Sequence, residues 1–382
     1  MGQRLVGTAF DGLIELPTEH SLQSVDAYIT SQCNRRCTYC FLPSEFFSSG
    51  QRMSAEAFSG VVAWCMRHHV GEITLLGGEP SLHPAFPEMV ALGHGRGLAV
   101  RVVTNGARRF RLLIENGLIG RHNLSRVAVS LDTLDETVQD AFRGRGAWQD
   151  AMDTIRLLRD GGILFDINVT GVRPVLDGIG ALIHFADEAG CRRVNVHWPS
   201  SIGLGADLAA DHIPGRDEWQ DLVLMVTKRV ETRPDFFVEI ERGFLGKGDP
   251  LAGCALDDFS NLQILPDGRA YRCGLLVDQE GMASLTMTGS QLRLTRPDFG
   301  EELLRSSTPL GCLACPAVQA DGRRACIYDK ASSAPYGSHA SDARESPVAA
   351  AASRRSTIQR RAYARLRTRS DDCLEWLNSW FS

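Results

Sequence analysis

The stretch Asp26-Ala-Tyr-Ile-Thr30-Ser-Gln-Cys33-Asn-Arg-Arg-Cys37-Thr-Tyr-Cys40 runs from a β-branched, apolar segment straight into a loop with three cysteines. The first part reads as a strand. The second is C-x3-C-x2-C. Working outward, the same grammar repeats. Short β-branched runs recur at Ile73–Leu76, Ala99–Val103, Arg126–Leu131, Phe165–Val172 and Arg193–His197. Between them, apolar residues recur at helical spacing over Ala55–His68, Phe86–His94, Phe110–Asn116, Thr137–Asp160 and Ile179–Ala189. Regular βα alternation predicts a parallel sheet covered by helices. Several strands end in polar or glycine-containing tips: Gly77-Gly78-Glu79, Thr104-Asn105-Gly106, Ser130-Leu131-Asp132 and His197-Trp198. Sites in α/β proteins form at those C-terminal strand ends.

The rest of the chain bounds the answer. It has 382 residues, 43% hydrophobic and 23% charged, enough apolar material for a full core without disulfides. Lys+Arg 41 against Asp+Glu 46 gives a net charge of −5, which disfavours a wholly basic nucleic-acid binder. No apolar run is long enough for a membrane span, and the N-terminus lacks the pattern of a signal peptide, so a cytoplasmic protein is expected. In that compartment, 11 cysteines favour metal binding or catalysis over a disulfide framework.

Three thiolates on one short loop can ligate three irons of a cubane cluster, leaving one iron open to a small molecule. A zinc knuckle short of its fourth ligand and three unrelated thiols remain the alternatives at this point. The other tips narrow them. Cys33, Cys37 and Cys40 with Tyr39, then Gly77-Gly78-Glu79-Pro80, Thr104-Asn105-Gly106, Ser130-Leu131-Asp132 and Arg143 occur in the order that resembles the radical S-adenosylmethionine (AdoMet) superfamily. The resemblance covers roughly residues 26–200. It implies an α/β fold built as a partial (β/α)6 TIM-like barrel. It implies a [4Fe–4S] cluster on Cys33, Cys37 and Cys40, with AdoMet chelated at the open iron. Gly77, Gly78, Glu79 and Pro80 would receive the methionine ammonium group. Asn105 would lie among the cofactor contacts, Ser130 and Asp132 near the ribose, Arg143 at the methionine carboxylate, and Tyr39 and Val172 near the adenine. The activity implied is reductive cleavage of AdoMet to a 5′-deoxyadenosyl radical, which abstracts a hydrogen from substrate.

A second cysteine set follows a change of texture near residue 236. Phe236–Glu241, Asn261–Leu265 and Arg269–Arg272 read as short strands, the last two joined at the Pro266-Asp267-Gly268 turn. Cys254, Cys273, Cys312 and Cys315 resemble the SPASM and twitch auxiliary-cluster domains. Too few thiols remain for two cubanes, so one auxiliary [4Fe–4S] cluster of the twitch kind is expected, in a small β-hairpin-plus-helix domain. Zinc on the same four is the alternative. Cys326 is left over, as a spare thiol, a substitute ligand or a hydrogen-atom donor. The domains expected are an N-terminal extension 1–25, a barrel 26–235, an auxiliary-cluster domain 236–330, and a flexible linker with an Arg-rich tail 331–382.

Architectures of this kind divide between maturases of ribosomally made peptides and twitch-type oxidases of sugars or aminocyclitols; the peptide maturase is favoured. The expected partners are a peptide or small-molecule substrate, an electron donor such as flavodoxin or ferredoxin, and a separate leader-peptide recognition protein. Neither a membrane nor nucleic acid is expected. A non-catalytic iron–sulfur scaffold is the reading of another class, disfavoured because a scaffold needs no AdoMet site.

Overall fold

The computed structural model describes residues 13, 16, 22–200, 202–230, 236–240, 261–274, 277, 283 and 285–295. Seven parallel strands form its centre: β1 (Ser24–Thr30), β2 (Glu72–Gly77), β3 (Ala99–Thr104), β4 (Arg126–Ser130), β5 (Phe165–Thr170), β6 (Arg193–His197) and β7 (Phe237–Ile240). They pair in chain order, so each crossover moves the chain one strand along. Around them lie α1 (Ser44–Ser48), α2 (Ala55–Arg67), α3 (Phe86–Gly95), α4 (Arg108–Glu115), α5 (Glu136–Arg143), α6 (Ala147–Asp160), α7 (Arg173–Leu176), α8 (Ile179–Glu188) and α9 (Arg216–Val230). This is an α/β fold with an open, partial barrel.

Strand periodicity sorts the side chains. Val25, Ala27, Ile29, Ile73, Leu75, Val100, Val102, Val127, Val129, Ile167 and Val169 alternate onto one face and are buried. Helix residues such as Phe58, Val61, Val90, Phe110, Ile155 and Leu182 supply the facing apolar layer. The opposite face is polar. It carries Asp26, Thr74, Arg101, Arg126, Asp166, Asn168 and Asn195. Asp166 is fully buried there, 3.5 Å from both Arg101 and Arg126. The Asn195 amide donates to Asn168 Oδ1 at 2.8 Å. A lumen built this way is a polar chamber rather than a sealed apolar core.

The strands read from sequence all form, with ends shifted by one or two residues. Phe165–Val172 stops at Thr170 because Val172 turns to cap α7. One helical reading is corrected. Thr137–Asp160 is two helices, α5 and α6, broken at Gly144 (φ 96°) and Gly146 (φ 77°), left-handed positions that suit glycine. Asp140 holds the break, its Oδ1 accepting from Trp148 N at 3.0 Å.

Four short strands follow: β8 (Gln263–Ile264), β9 (Arg269–Tyr271), β10 (Leu285–Thr288) and β11 (Gln291–Leu294). The Pro266-Asp267-Gly268 turn does join an antiparallel pair, β8 and β9, with Gly268 at φ 88°. β7 extends the barrel sheet alongside β6, although Phe236–Glu241 reads in the sequence as the start of the C-terminal part. β8 pairs in parallel with β1, placing Gln263 opposite Asp26. Gln263 is clamped there: Tyr28 Oη donates to its Oε1 at 2.7 Å, and its Nε2 donates to Asp26 Oδ2 at 3.1 Å. The β10–β11 turn packs on α2, where a Cβ on Gly60 would overlap the Gly289 carbonyl. Cys254, Cys312, Cys315, Cys326, the linker and the Arg-rich tail lie outside the described residues. Among the described residues, no helix is long and apolar enough to cross a membrane.

Candidate active site

The site is built at the tips of β1 to β5. The loop after β1 carries Cys33, Cys37 and Cys40, all half-buried free thiols. A turn bond from Cys40 N to the Cys37 carbonyl (3.1 Å) and one from Thr38 N to Phe142 O (2.9 Å) fix its course. The segment after β6 lies alongside, with Gly205 N donating to Cys40 O at 2.9 Å. Burial pushes the Cys33 thiol up to about 11 and the Cys40 thiol up to about 12, and raises Cys37 as well. A thiolate at Cys37 or Cys33 would push Cys40 up further, so the three sulfurs are electrostatic neighbours. Left alone, these thiols stay protonated. An iron cluster supplies the positive charge that deprotonates them.

The donor set therefore fits a cubane. Among the described residues, no three His, Cys, Asp or Glu side chains converge tightly enough to hold a single metal ion. A cubane asks for wider spacing, because each thiolate meets a different iron. The β2 tip also leaves no room for bulk beside the loop. A Cβ on Gly78 would overlap the Gln32 carbonyl and lie 2.9 Å from Cys33 Cβ. Gly77, at φ 149°, has the Thr30 carbonyl where a side chain would go. Gly78 N and Glu79 N donate to Thr30 O (2.8 Å) and Gln32 O (2.7 Å), stitching the β2 tip to the cysteine loop.

Glu79 is fully buried. Its Oε1 accepts from Ser81 Oγ (2.7 Å) and Thr104 Oγ1 (2.9 Å), and its Oε2 from Asn105 N (2.8 Å). Burial raises its pKa, and those donors oppose the rise. Its side chain thus ties the β2 tip to the β3 tip. Pro80 opens a single helical turn and is buried. Asn105, half-buried, sends its amide to Asn34 Oδ1 (2.9 Å) and towards Cys33 Sγ (3.7 Å), while its own buried Oδ1 has no partner among the described residues.

A second network stands across the loop. Asp132, fully buried, accepts Arg143 Nε (2.7 Å) and Nη2 (2.8 Å), the Thr170 amide (2.8 Å) and the Tyr39 hydroxyl. Gln139 Oε1 accepts the Asp132 amide at 2.9 Å. Burial works against the Arg143 charge, but Asp132 holds its pKa well above the usual value. Burial likewise raises the Tyr39 phenol. The Tyr39 ring stacks on Phe142 at 6.0 Å, with the Arg143 guanidinium 5.3 Å from its centre. Every Asp132 oxygen is thus taken by protein. Arg143 Nη1 keeps no hydrogen bond among the described residues and sits near Cys37, whose thiolate its charge favours. Ser130 is half-buried at the β4 tip; Val172 is fully buried at the turn after β5.

Sequence reading names Cys33, Cys37, Cys40, Tyr39, Gly77 to Pro80, Asn105, Asp132 and Arg143, and the structure joins them through two hydrogen-bonded networks. It names Thr104 only as part of the Thr104-Asn105-Gly106 tip, without a role, and assigns none to Gln139, Phe142 and Thr170; all four hold the named residues in place. Their only signal is position, at strand tips or one helical turn from Arg143. It also misses the brace in which Arg35 pairs with Asp150 and Asp150 with Arg111 (3.0 Å). Cys273 lies half-buried after β9, packed with Cys33 and Cys40 against one buried cluster that includes Tyr28, Phe46 and Tyr271. Beside Cys37 opens a cavity of about 570 Å³, walled by Val138, Phe142, Leu204 and Leu208, with Arg36 and His212 at its polar edges.

Comparison with known proteins agrees with this geometry. The Radical SAM superfamily model matches residues 27–185. GTP 3′,8-cyclase of Campylobacter fetus is 27% identical over 261 residues, 64% of this chain and 78% of its own. Mycofactocin maturase MftC of Mycolicibacterium smegmatis is 26% identical over 300 residues, 75% and 74% of the two chains. The chain spans only 40% of another similar protein, the subtilosin biosynthesis protein AlbA of Bacillus subtilis, at 26% identity. Among solved structures, Streptococcus suis SuiB bound to S-adenosylmethionine has the same fold, with a TM-score of 0.58 at 16% identity, covering 77% of this chain and 70% of that one. With the cysteine loop, the glycine-packed β2 tip and the family match coinciding on one stretch, residues 27–185 form a radical SAM domain.

Proposed function

We propose that this protein is a radical SAM enzyme that modifies a peptide by hydrogen-atom abstraction, in the maturation of a ribosomally made precursor. The observation that carries the reading is the three-thiol loop after β1, closed on one side by Gly77 and Gly78 and on the other by the Tyr39–Asp132–Arg143 network. When bound, the cluster supplies the electron that cleaves AdoMet and so starts the abstraction. The chain's own residues do the rest. Cys33, Cys37 and Cys40 hold the cluster. The backbone at Gly77–Pro80 takes the ammonium group of AdoMet, with Asn105 beside it. Arg143, fixed by Asp132, offers Nη1 to the carboxylate, a task suited to its planar fork. Ser130 meets the ribose. Tyr39 and Val172 flank the adenine, and Asp132 acts by orienting Tyr39 and Arg143. The polar lumen, with Asn168 and Asn195 paired across β5 and β6, presents amide donors and acceptors suited to peptide groups.

The similarity to MftC and AlbA supports a peptide substrate. A small-molecule substrate, including an aminocyclitol or sugar, is the second reading, and the similarity to GTP 3′,8-cyclase favours it. In either case Cys254, Cys273, Cys312 and Cys315 are proposed to hold one auxiliary [4Fe–4S] cluster, which would accept an electron from the substrate radical. Cys326 is the proposed hydrogen-atom donor should the reaction be an epimerisation.

The test is iron and acid-labile sulfide in anaerobically reconstituted protein, wild type against the Cys33/Cys37/Cys40→Ala variant, with AdoMet cleavage on the same samples. About eight irons falling to about four, with cleavage lost, is expected. About four falling to none removes the auxiliary cluster. Cleavage that survives the substitutions refutes the reading.

A further inference from the structure

The Asn105 side chain reaches the cysteine loop itself. Its Nδ2 carries two hydrogens and has two acceptors in range, Asn34 Oδ1 at 2.9 Å and Cys33 Sγ at 3.7 Å. The opposite amide orientation would set the oxygen against the Cys33 sulfur, which as a thiolate only accepts, so the network keeps the nitrogen on that side. The backbone is pinned on both flanks. Glu79 Oε2 accepts the Asn105 amide at 2.8 Å, and Thr104 Oγ1 accepts the Gly106 amide at 3.1 Å. Gly106, at φ 79°, has the Asp150 carbonyl where a Cβ would go, so the β3 tip is packed tightly against α6. Cys33 Sγ also accepts the Arg35 amide at 3.4 Å. Cys33 thus takes a backbone donor and a side-chain donor together, while Cys40 takes the Leu42 amide.

We infer that Asn105 raises the reduction potential of the cluster through its bond to the Cys33 sulfur, and that Asn34 holds the amide for that task. The inference rests on the reading of Cys33, Cys37 and Cys40 as cluster ligands. Reduction adds one electron and no proton, and no bond forms or breaks, so the ligand sulfurs become more negative. An N–H dipole aimed at one of them stabilises the reduced form more than the oxidised form. Hydrogen bonds to the sulfurs are among the levers that set such potentials. The dipole acts more strongly in a half-buried loop than it would in water. Asn105 therefore works through Cys33 with one end of its amide. The other end, the buried Oδ1, has no partner among the described residues and stays available to AdoMet.

The experiment is a redox titration of the reconstituted full chain, followed by EPR without AdoMet and with dithionite as the reductant. The signal read is the one that added AdoMet perturbs in a parallel sample. Asn105→Leu keeps the bulk and removes the donor. Its reduction equilibrium falls about 10-fold, a midpoint about 59 mV more negative for one electron. Asn34→Ala removes only the anchor of the amide, and its midpoint moves the same way by less. Pulsed EPR of the reduced wild type shows a weakly coupled exchangeable proton that Asn105→Leu loses. A purely structural role would lower iron content and leave the potential of the remaining cluster at the wild-type value; that result overturns the inference. So does an unchanged potential with weaker AdoMet binding, which leaves Asn105 as an AdoMet contact alone. Should Asn105→Leu hold no iron, Asn34→Ala decides, and a wild-type midpoint there is a refutation. If wild type loses no iron on Cys33/Cys37/Cys40→Ala substitution, the proposed function fails instead, and the two failures are told apart.

Discussion

Removing either end of the Asp132–Arg143 pair should unfold the site from within. Both groups are buried, and the pair is bidentate, with Nε and Nη2 at 2.7 and 2.8 Å. Asp132→Asn keeps the shape but turns an acceptor into an amide that cannot take the Arg143, Tyr39 and Thr170 donors together. Arg143→Met leaves a carboxylate with two of its donors gone. Breaking a buried ion pair at one end costs about 3–5 kcal/mol, because the surviving charge stays out of water. Each single variant should therefore lose that much of a total stability that is itself only about 5–15 kcal/mol. The double variant should lose less than the two singles combined, by a coupling of about 2–3 kcal/mol, because no uncompensated charge remains. Anaerobic urea unfolding of the cluster-free protein, with parallel m-values, reads all four corners of the cycle. Losses below about 1 kcal/mol, or strict additivity, would refute the claim that Asp132 holds Arg143 by a desolvated charge pair.

Three further outcomes are expected. Gly78→Ala places a Cβ against the Gln32 carbonyl and Cys33, so iron incorporation should fall at least several-fold while circular dichroism is kept; normal iron content would show that the loop yields. Burial raises the Asp26 carboxyl from 3.8 to about 6, so the folded state holds its proton more tightly than the unfolded chain. That group's contribution to stability is full below about pH 4, declines as pH rises to about 6, and above that amounts to a penalty on the order of 3 kcal/mol. Asp26→Asn should therefore stabilise the protein at pH 8 and flatten the pH 4–6 slope of the urea midpoint; an unchanged slope would exclude Asp26 as its source. Gly60→Val drives a side chain into the Gly289 backbone, so the β10–β11 hairpin should become the first site of limited proteolysis.

The barrel was legible because strand runs and helical periods alternate, and because the family's tips keep their order. The break between α5 and α6 was legible in principle, since Gly144 and Gly146 bracket Arg145, but the apolar period runs through it from Val138 to Leu158. Tertiary pairing hid other parts. Nothing local tells that Gln263 will lie between Asp26 and Tyr28, 237 and 235 residues away in the chain. Nor does sequence reveal that β7 continues the barrel sheet, since four residues of β-strand carry no address.

The site residues named from sequence spend much of their bonding on each other. Glu79 satisfies Ser81, Thr104 and Asn105; Asp132 satisfies Tyr39, Arg143 and Thr170. A side chain that forms three or four buried hydrogen bonds within the protein cannot also bind a ligand through the same atoms. Its worth lies in fixing its neighbours before the ligand arrives, which removes the ordering cost from the binding step. On the proposed reading, the groups left among the described residues to meet a cofactor are then few: three sulfurs, the Gly77–Pro80 backbone, the Ser130 hydroxyl, the Asn105 side-chain oxygen and Arg143 Nη1. Conservative change should accordingly act in opposite ways on the two sets. In the carboxylate keystones it lowers stability and cofactor affinity together. At Ser130, whose hydroxyl has no hydrogen-bond partner among the described residues, Ser130→Ala should weaken AdoMet binding at nearly unchanged stability.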